Sequence, residues 1–151
     1  MQVSAKADYA VRALIELAAQ GGGPVKGERL AAAQQIPPKF LEAILAQLRQ
    51  ANLLQSRRGA EGGYWLARPA GEISVADIVR AADGPLARVR GQRPETVSYE
   101  GSARRLTEVW VALRASLRAV LEVVTLQDLL EGRLPADVRG LMADPAARTT
   151  R

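Results

Sequence analysis

The chain has 151 residues, 48% hydrophobic and 25% charged, with 21 Lys plus Arg against 16 Asp plus Glu for a formal net charge of +5. That length and composition suit an ordinary soluble globular protein with one compact core, or a small domain plus a dimerisation arm. Having neither Cys nor His, the chain cannot form disulfides, thiol redox sensors, thiolate-held iron–sulfur clusters, zinc sites or His-based acid–base catalysts; a carboxylate-only metal site or an effector pocket stays open.

In chain order, Ser4 is a predicted N-cap for a helix over Ala5–Ala19, with Ala10, Leu14, Leu17 and Ala18 on one face. Gly21-Gly22-Gly23-Pro24 ends it. A short second helix is expected over Gly27–Gln34, with Leu30 and Ala33 inward. After the turn at Gln35-Ile36, Pro37 and Pro38 suit the first turn of a third helix, where a missing N–H costs nothing. Two helices joined by a short turn make a helix-turn-helix. In the third helix Leu41, Ile44, Leu45 and Leu48 form the buried stripe, while Lys39, Glu42, Ala43 and Ala46 project from the other side.

Leu53–Ser56 and Tyr64–Ala67 are short enough for hairpin strands. Between them Arg57-Arg58-Gly59-Ala60-Glu61-Gly62-Gly63 makes the tip, its glycines permitting the positive φ of a tight turn. Alternation sends one of Tyr64 and Trp65 to the core and the other toward the outer face, without saying which. A fourth helix follows over Val75–Ala82 and stops at Asp83-Gly84-Pro85. Residues 86–101 lack periodicity and read as a linker. From Ser102 to Glu131 there is neither Gly nor Pro, and Leu106, Val109, Leu113, Leu117, Val120 and Val124 repeat at steps of three and four. Ser102–Val124 alone would extend roughly 35 Å as a helix, and a second copy of the same stripe is the simplest partner for it. The last residues, DPAARTTR among them, read as a frayed tail.

A helix with an exposed polar face followed by a basic hairpin is the layout of a winged helix-turn-helix, which puts the helix in a DNA major groove and the hairpin in an adjacent groove or on the backbone. Charge agrees with a polyanionic partner: residues 1–69 hold nine basic and five acidic side chains, and residues 70–151 hold twelve and eleven. On the third helix, Lys39 can meet a phosphate or a guanine edge, Glu42 can accept from a cytosine amino group, and Ala43 can touch a thymine methyl. Arg57 and Arg58 suit insertion beside phosphates or into a minor groove. Against this, a solvated helix face and a surface charge pair are the plainer readings, and Glu61 could neutralise one arginine. The GAEGG loop lacks the Lys-Ser/Thr and the strand-to-helix setting of a nucleotide site. Lys26, just before the second helix, is a further phosphate candidate.

Three segments, PPKFLE, LLQSRRGAEGGYWLARP and ISVADIVRAADGP, resemble the Rrf2 family of bacterial transcriptional regulators. The resemblance runs from Met1 to about Glu131 and is most specific at the third helix and the wing. It implies contacts to bases and phosphates from Pro37, Pro38, Lys39, Phe40, Glu42, Ala43, Arg57, Arg58, Gly59 and Gly62, with Arg58 the groove-inserting arginine. It directs the first helix's start toward the DNA backbone, adding Ser4, Lys6 and Tyr9, although Tyr9 suits the core equally. Relatives that sense redox state or nitric oxide carry three cysteines in the second half; counted back from the shared Trp110, Arg104 stands at the last of these and Thr107 at a nearby ligand. Arg88, Arg90, Arg93, Tyr99 and Arg104 could then cradle an anion, or the arginines could pair with Asp83, Glu95 and Glu100.

The expectation is a mainly α fold with a small β-hairpin wing: a winged helix-turn-helix domain over 1–85 (helix-turn-helix about 27–51, wing 53–67), a linker over 86–101, a dimerisation helix and a short following helix over 102–131, and a tail over 132–151. The expected dimer interface is Leu106, Val109, Trp110, Leu113, Leu117, Val120 and Val124. The expected function is a homodimeric repressor on a near-palindromic operator in double-stranded DNA, with no cofactor. Alternatives are a regulator acting chiefly through a bound partner protein, such as a partner enzyme, or one gated by a small anionic effector at the dimer interface. An enzyme is not expected, because no paired carboxylates converge. No apolar run nears the ~20 residues of a membrane span and no signal-peptide core follows Met1, so the expected place is the cytoplasm.

Overall fold

The computed structural model describes residues 2–150, and Met1 and Arg151 lie outside the described residues. Helix α1 (Ala5–Ala19) starts at Ser4, whose hydroxyl accepts the Ala7 N–H at 2.9 Å. Its inner face is Ala7, Ala10, Ala13, Leu14 and Leu17, and the alanines let its neighbours approach closely. Gly21 (φ +82°) and Gly22 (φ +100°) adopt the left-handed backbone that ends it.

Helix α2 (Gly27–Gln34) buries Leu30 and Ala31, whereas Ala33, expected inward, is exposed. The reason is polar: Gln34 faces α1, where its amide donates to Glu16 at 2.9 Å and its carbonyl takes the Arg12 guanidinium, rotating α2 away from Ala33. Helix α3 (Pro38–Gln50) opens on Pro38 and buries the expected stripe, Leu41, Ile44, Leu45 and Leu48.

Strands β1 (Leu54–Arg57) and β2 (Gly63–Leu66) pair antiparallel, Leu54 opposite Leu66 and Arg57 opposite Gly63. Both are displaced one residue from the expected limits. Leu53 donates its N–H back to Leu48 at 3.0 Å as part of the helix exit, and Gly63 joins the ladder. Helix α4 (Val75–Asp83) begins in a capping box of Ser74 and Asp77, at 3.1 and 3.0 Å. The linker buries Leu86, Pro94 and Val97 beside α5 (Leu106–Leu121).

The stripe read through Val124 is not one helix. The backbone of Ile73–Val75 pairs with Val124–Leu126 (Val75 N–H to Val124 O, 2.9 Å; Leu126 N–H to Ile73 O, 3.0 Å), and a second capping box at Thr125 and Asp128 starts α6 (Leu126–Glu131). Val124 is buried within its own chain at 5% exposure. Glu122 secures the same joint, accepting from Arg80 of α4 and, at 3.0 Å, from Arg118 of α5; these bonds hold its carboxyl below the ordinary carboxylate range.

The expected tail also needs correction. After Pro135, α7 (Ala136–Ala143) forms with Val138 buried at 7%, and a helical turn follows over Pro145–Arg148. Leu141 and Met142 remain exposed.

One continuous core joins α1, α2, α3, β1, α4 and α6, and α5 contributes no fully buried residue to it. Leu126 is 0% exposed and anchors α6 in this core. Leu126→Ala should therefore lower unfolding free energy by about 2–5 kcal/mol in urea titration; a change below ~0.5 kcal/mol would mean that α6 is not part of the cooperative unit.

Candidate nucleic-acid interface

A cleft of about 390 Å³ opens between the N-terminal ends of α2 and α3 and the hairpin. Its walls carry four cations (Lys26, Lys39, Arg57 and Arg58) and two acids (Glu28 and Glu42), with Pro38, Gly59, Gly63 and Tyr64 between them. Lys39, Glu42, Arg57 and Arg58 are exposed. Among the described residues, none of the four cations has a carboxylate within 4.0 Å. Glu61 does not neutralise the tip: Arg57 donates to its backbone carbonyl at 3.2 Å, and its carboxylate is in no ion pair. The cleft thus keeps a local excess of positive charge. Helix α2 adds N–H groups, since its N-cap Lys26 makes no side-chain capping bond.

The hairpin's position is set by Val25, a residue that no local pattern in the sequence marks. Val25 and Tyr64 exchange backbone hydrogen bonds, 2.9 Å from the Val25 N–H and 2.8 Å from the Tyr64 N–H, an isolated antiparallel bridge on the edge of β2 away from β1. A Cβ on Gly63 (φ +145°) would stand 2.6 Å from the Val25 carbonyl oxygen, so only glycine permits that approach. Nothing local in the sequence reveals the pairing, because its two halves are 39 positions apart. Lys26 also donates its ammonium to the Gly59 carbonyl, Arg49 reaches Ser56 at 3.0 Å, and Trp65 donates to Gln55 at 2.9 Å. Tyr64 packs against the core and also lines the cleft, taking both roles that alternation had divided between two rings. Trp65 points to the far face, beside the end of α1 and Leu130.

Other expected residues lie outside the cleft walls. Pro37 and Ala43 are exposed on α3's outer end and face. Phe40, 41% exposed, meets Tyr9 edge-on at 5.6 Å, and Arg12 lies 5.3 Å over the Tyr9 ring. Lys6 is half-buried near the start of α1. The Ser4 hydroxyl is engaged on both sides, capping α1 and donating to Asp83 at 2.5 Å, which leaves it no free donor. Gly62 is buried in the turn, where a Cβ would fall 2.0 Å from the Arg57 carbonyl oxygen; its requirement is steric.

The arginines grouped around the linker do not share one site. Arg88 and Arg90 line a cavity with Trp110 and Leu113, Arg93 lines another with Arg80 and Arg114, and Arg104 lines neither. Glu95 pairs with Arg114 at 2.5 Å, a bond that lowers its carboxyl's pKa. On α5, Leu106, Trp110, Leu113, Leu117 and Val120 are half-buried. The same side makes the bonds to the linker: Thr107 to the Val97 carbonyl at 2.7 Å, Trp110 to the Tyr99 hydroxyl at 3.1 Å, and Arg114 to Glu95. Pointing outward are Val109 (55% exposed), Val111 (42%), and the small Ala112, Ala115 and Ala119.

The family model for Rrf2, described as an iron-dependent transcriptional regulator, matches residues 3–132. A protein of Mycobacterium tuberculosis named as an HTH-type transcriptional regulator is 54% identical over 149 residues, spanning 98% of this chain and 92% of that one. The HTH-type transcriptional regulator CymR of Bacillus subtilis is 35% identical over 130 residues, spanning 85% and 89%. The solved structure of B. subtilis CymR, titled the global cysteine regulator, superposes with a TM-score of 0.73 at 34% identity, over 87% of this chain and 98% of that one. T. potens IscR superposes with a TM-score of 0.70 at 32% identity, over 100% and 93%. The iron in the family description has no fitting donor set here: the chain has no thiol or imidazole, and no three carboxylates gather among the described residues.

The close contact at Gly63 yields a direct test. Gly63→Ala should cost about 1–3 kcal/mol of stability in urea titration and weaken DNA binding, whereas Gly23→Ala, with nothing within 4 Å of the new Cβ, should change neither. Equal behaviour of the two variants would remove the Val25 pairing as the hairpin's anchor.

Proposed function

The chain belongs to the Rrf2 family of transcriptional regulators, and on that premise we propose that it is a homodimeric repressor of a near-palindromic operator, working without an iron–sulfur cluster. The observation that carries this reading is the un-neutralised set of Lys26, Lys39, Arg57 and Arg58 around one cleft. With the N-terminal half of α3 in the major groove, Lys39 and Glu42 reach base edges and Ala43 meets a thymine methyl. The wing then carries Arg58 into the neighbouring minor groove, where narrow A·T-rich segments concentrate negative potential. Lys26 and the N-terminus of α2 take a phosphate, fixing register without reading sequence.

Two copies are joined through the outward face of α5, Val109, Val111, Ala112, Ala115 and Ala119. Small residues let two helices approach closely, and two-fold symmetry presents the recognition helices to half-sites a whole number of turns apart. An occupied promoter is closed to polymerase, which makes repression the expected output.

Operator DNA recovered by selecting bound fragments from the native genome provides the assay. In anisotropy titrations at fixed salt, Arg58→Ala should lose about 1–3 kcal/mol of affinity and reduce the salt slope by about one; unchanged affinity would take the wing out of recognition. The parent protein should sediment at twice the chain mass and Ala115→Arg at the chain mass, while a monomeric parent would overturn the dimer.

A further inference from the structure

A second cavity, of about 280 Å³, opens away from the DNA-facing cleft, between the linker and α5. Its walls are apolar: Val89, Pro94, Trp110 and Leu113. Its charged groups are Arg88 and Arg90. No acid lines it, and among the described residues neither arginine is in an ion pair. The acids nearest in sequence are otherwise engaged, Asp83 with Ser4 and Glu95 with Arg114. Two arginines therefore line an apolar pocket with no carboxylate partner among the described residues, the Arg88 guanidinium resting against Gly84 and that of Arg90 over Tyr99.

Their placement is specific. Val89 and Gln92 exchange backbone hydrogen bonds of 3.0 Å across a tight turn whose two central residues, Arg90 (φ +52°) and Gly91 (φ +78°), are both left-handed. Asn, Asp or Gly is the usual occupant of such a position, and an arginine there keeps its guanidinium over the Tyr99 ring at 5.7 Å. Tyr99 in turn accepts the Trp110 indole N–H at 3.1 Å, so the turn, Tyr99 and the cavity's aromatic wall form one connected unit. Trp110 and Leu113 face the linker, and the outward face assigned to the second copy leaves this opening aside.

We propose that this cavity binds a small organic carboxylate with an apolar body, the body against Trp110, Leu113 and Pro94 and the carboxylate on Arg88 and Arg90. A guanidinium matches a carboxylate with two parallel hydrogen bonds. An apolar body is needed as well, because an inorganic anion would meet the arginines yet leave the indole and leucine walls unfilled. At about 280 Å³ the cavity falls just below the usual range for ligand pockets, which suits a one-ring acid. Arg88 also adjoins the end of α4: its guanidinium lies against Gly84, and the preceding Asp83 holds Ser4 at the start of α1. A bound acid that reorients Arg88 changes the support of α1, and this regulatory consequence rests on the reading of the chain as an operator-binding protein.

The chain has two tryptophans, so full-length Trp65→Phe reports Trp110 alone. Titration with phenylacetate should give a saturable change in its fluorescence, while phenylacetamide and inorganic phosphate over the same range should give none. Arg90→Asn, which removes the guanidinium but tolerates the left-handed backbone, and Arg88→Gln should each weaken the response about tenfold or more. No saturable response to phenylacetate, an equal response to the amide or to phosphate, or full retention in both variants overturns the site. Operator affinity is measured in parallel and should shift on adding phenylacetate to the parent but not to Arg90→Asn. Saturable binding with an unmoved operator affinity overturns the regulatory consequence alone. A protein that binds no DNA with or without the acid, yet responds in fluorescence, overturns the operator reading and leaves the cavity standing.

Discussion

A two-stranded hairpin of four residues a side has little stability of its own in water, and here it must hold a charged tip at a set distance from α3. The backbone exchange between Val25 and Tyr64 makes that arrangement rigid. Val25 precedes Lys26, the N-cap of α2, and α2 is joined to α3 by a short turn, so the bridge ties the hairpin to both helices. Gly63 is required because no side chain fits between the two backbones. Lys26 on Gly59 and Arg49 on Ser56 fasten the same hairpin at other points. With its frame secured by backbone bonds, the tip leaves Arg58 exposed and in no ion pair among the described residues.

Helix α5 has two unlike sides. At 16 residues it is little longer than the roughly 12–15 below which an isolated helix is marginal, and none of its residues is fully buried in this chain. Its large apolar side, Trp110, Leu113 and Leu117, is half-covered by the linker, which in return has Pro94 and Val97 buried beside it. What faces out is mostly alanine and valine. A face of small residues favours close approach of a neighbouring helix over deep interdigitation.

The joint at Glu122 links these halves. Arg80 from α4 and Arg118 from α5 converge on one carboxylate, and beside it Ile73–Val75 pairs with Val124–Leu126. The α5–α6 break thus lies where the chain returns to the DNA-binding core, and α6 completes that core against α1. Apart from this joint, the bond between Ser4 and Asp83 ties the start of α1 to the end of α4.

Local chemistry in the sequence was sufficient for the helix limits of α1, α2 and α3, for the buried stripe of α3 and for the charged turn, because caps, prolines and 3.6-residue periodicity act over a few positions. Zero Cys and His likewise settled the donor chemistry before any fold was known. Tertiary contacts decided the rest. Gln34's bonds to α1 turned Ala33 outward, the pairing of Ile73–Val75 with Val124–Leu126 broke the long stripe, and Val138 found a buried place in what read as a tail. The linker took the leucine face of α5, and Asp83 took the Ser4 hydroxyl. Each depends on partners dozens of positions apart, and periodicity within one segment carries no record of which other segment will cover it.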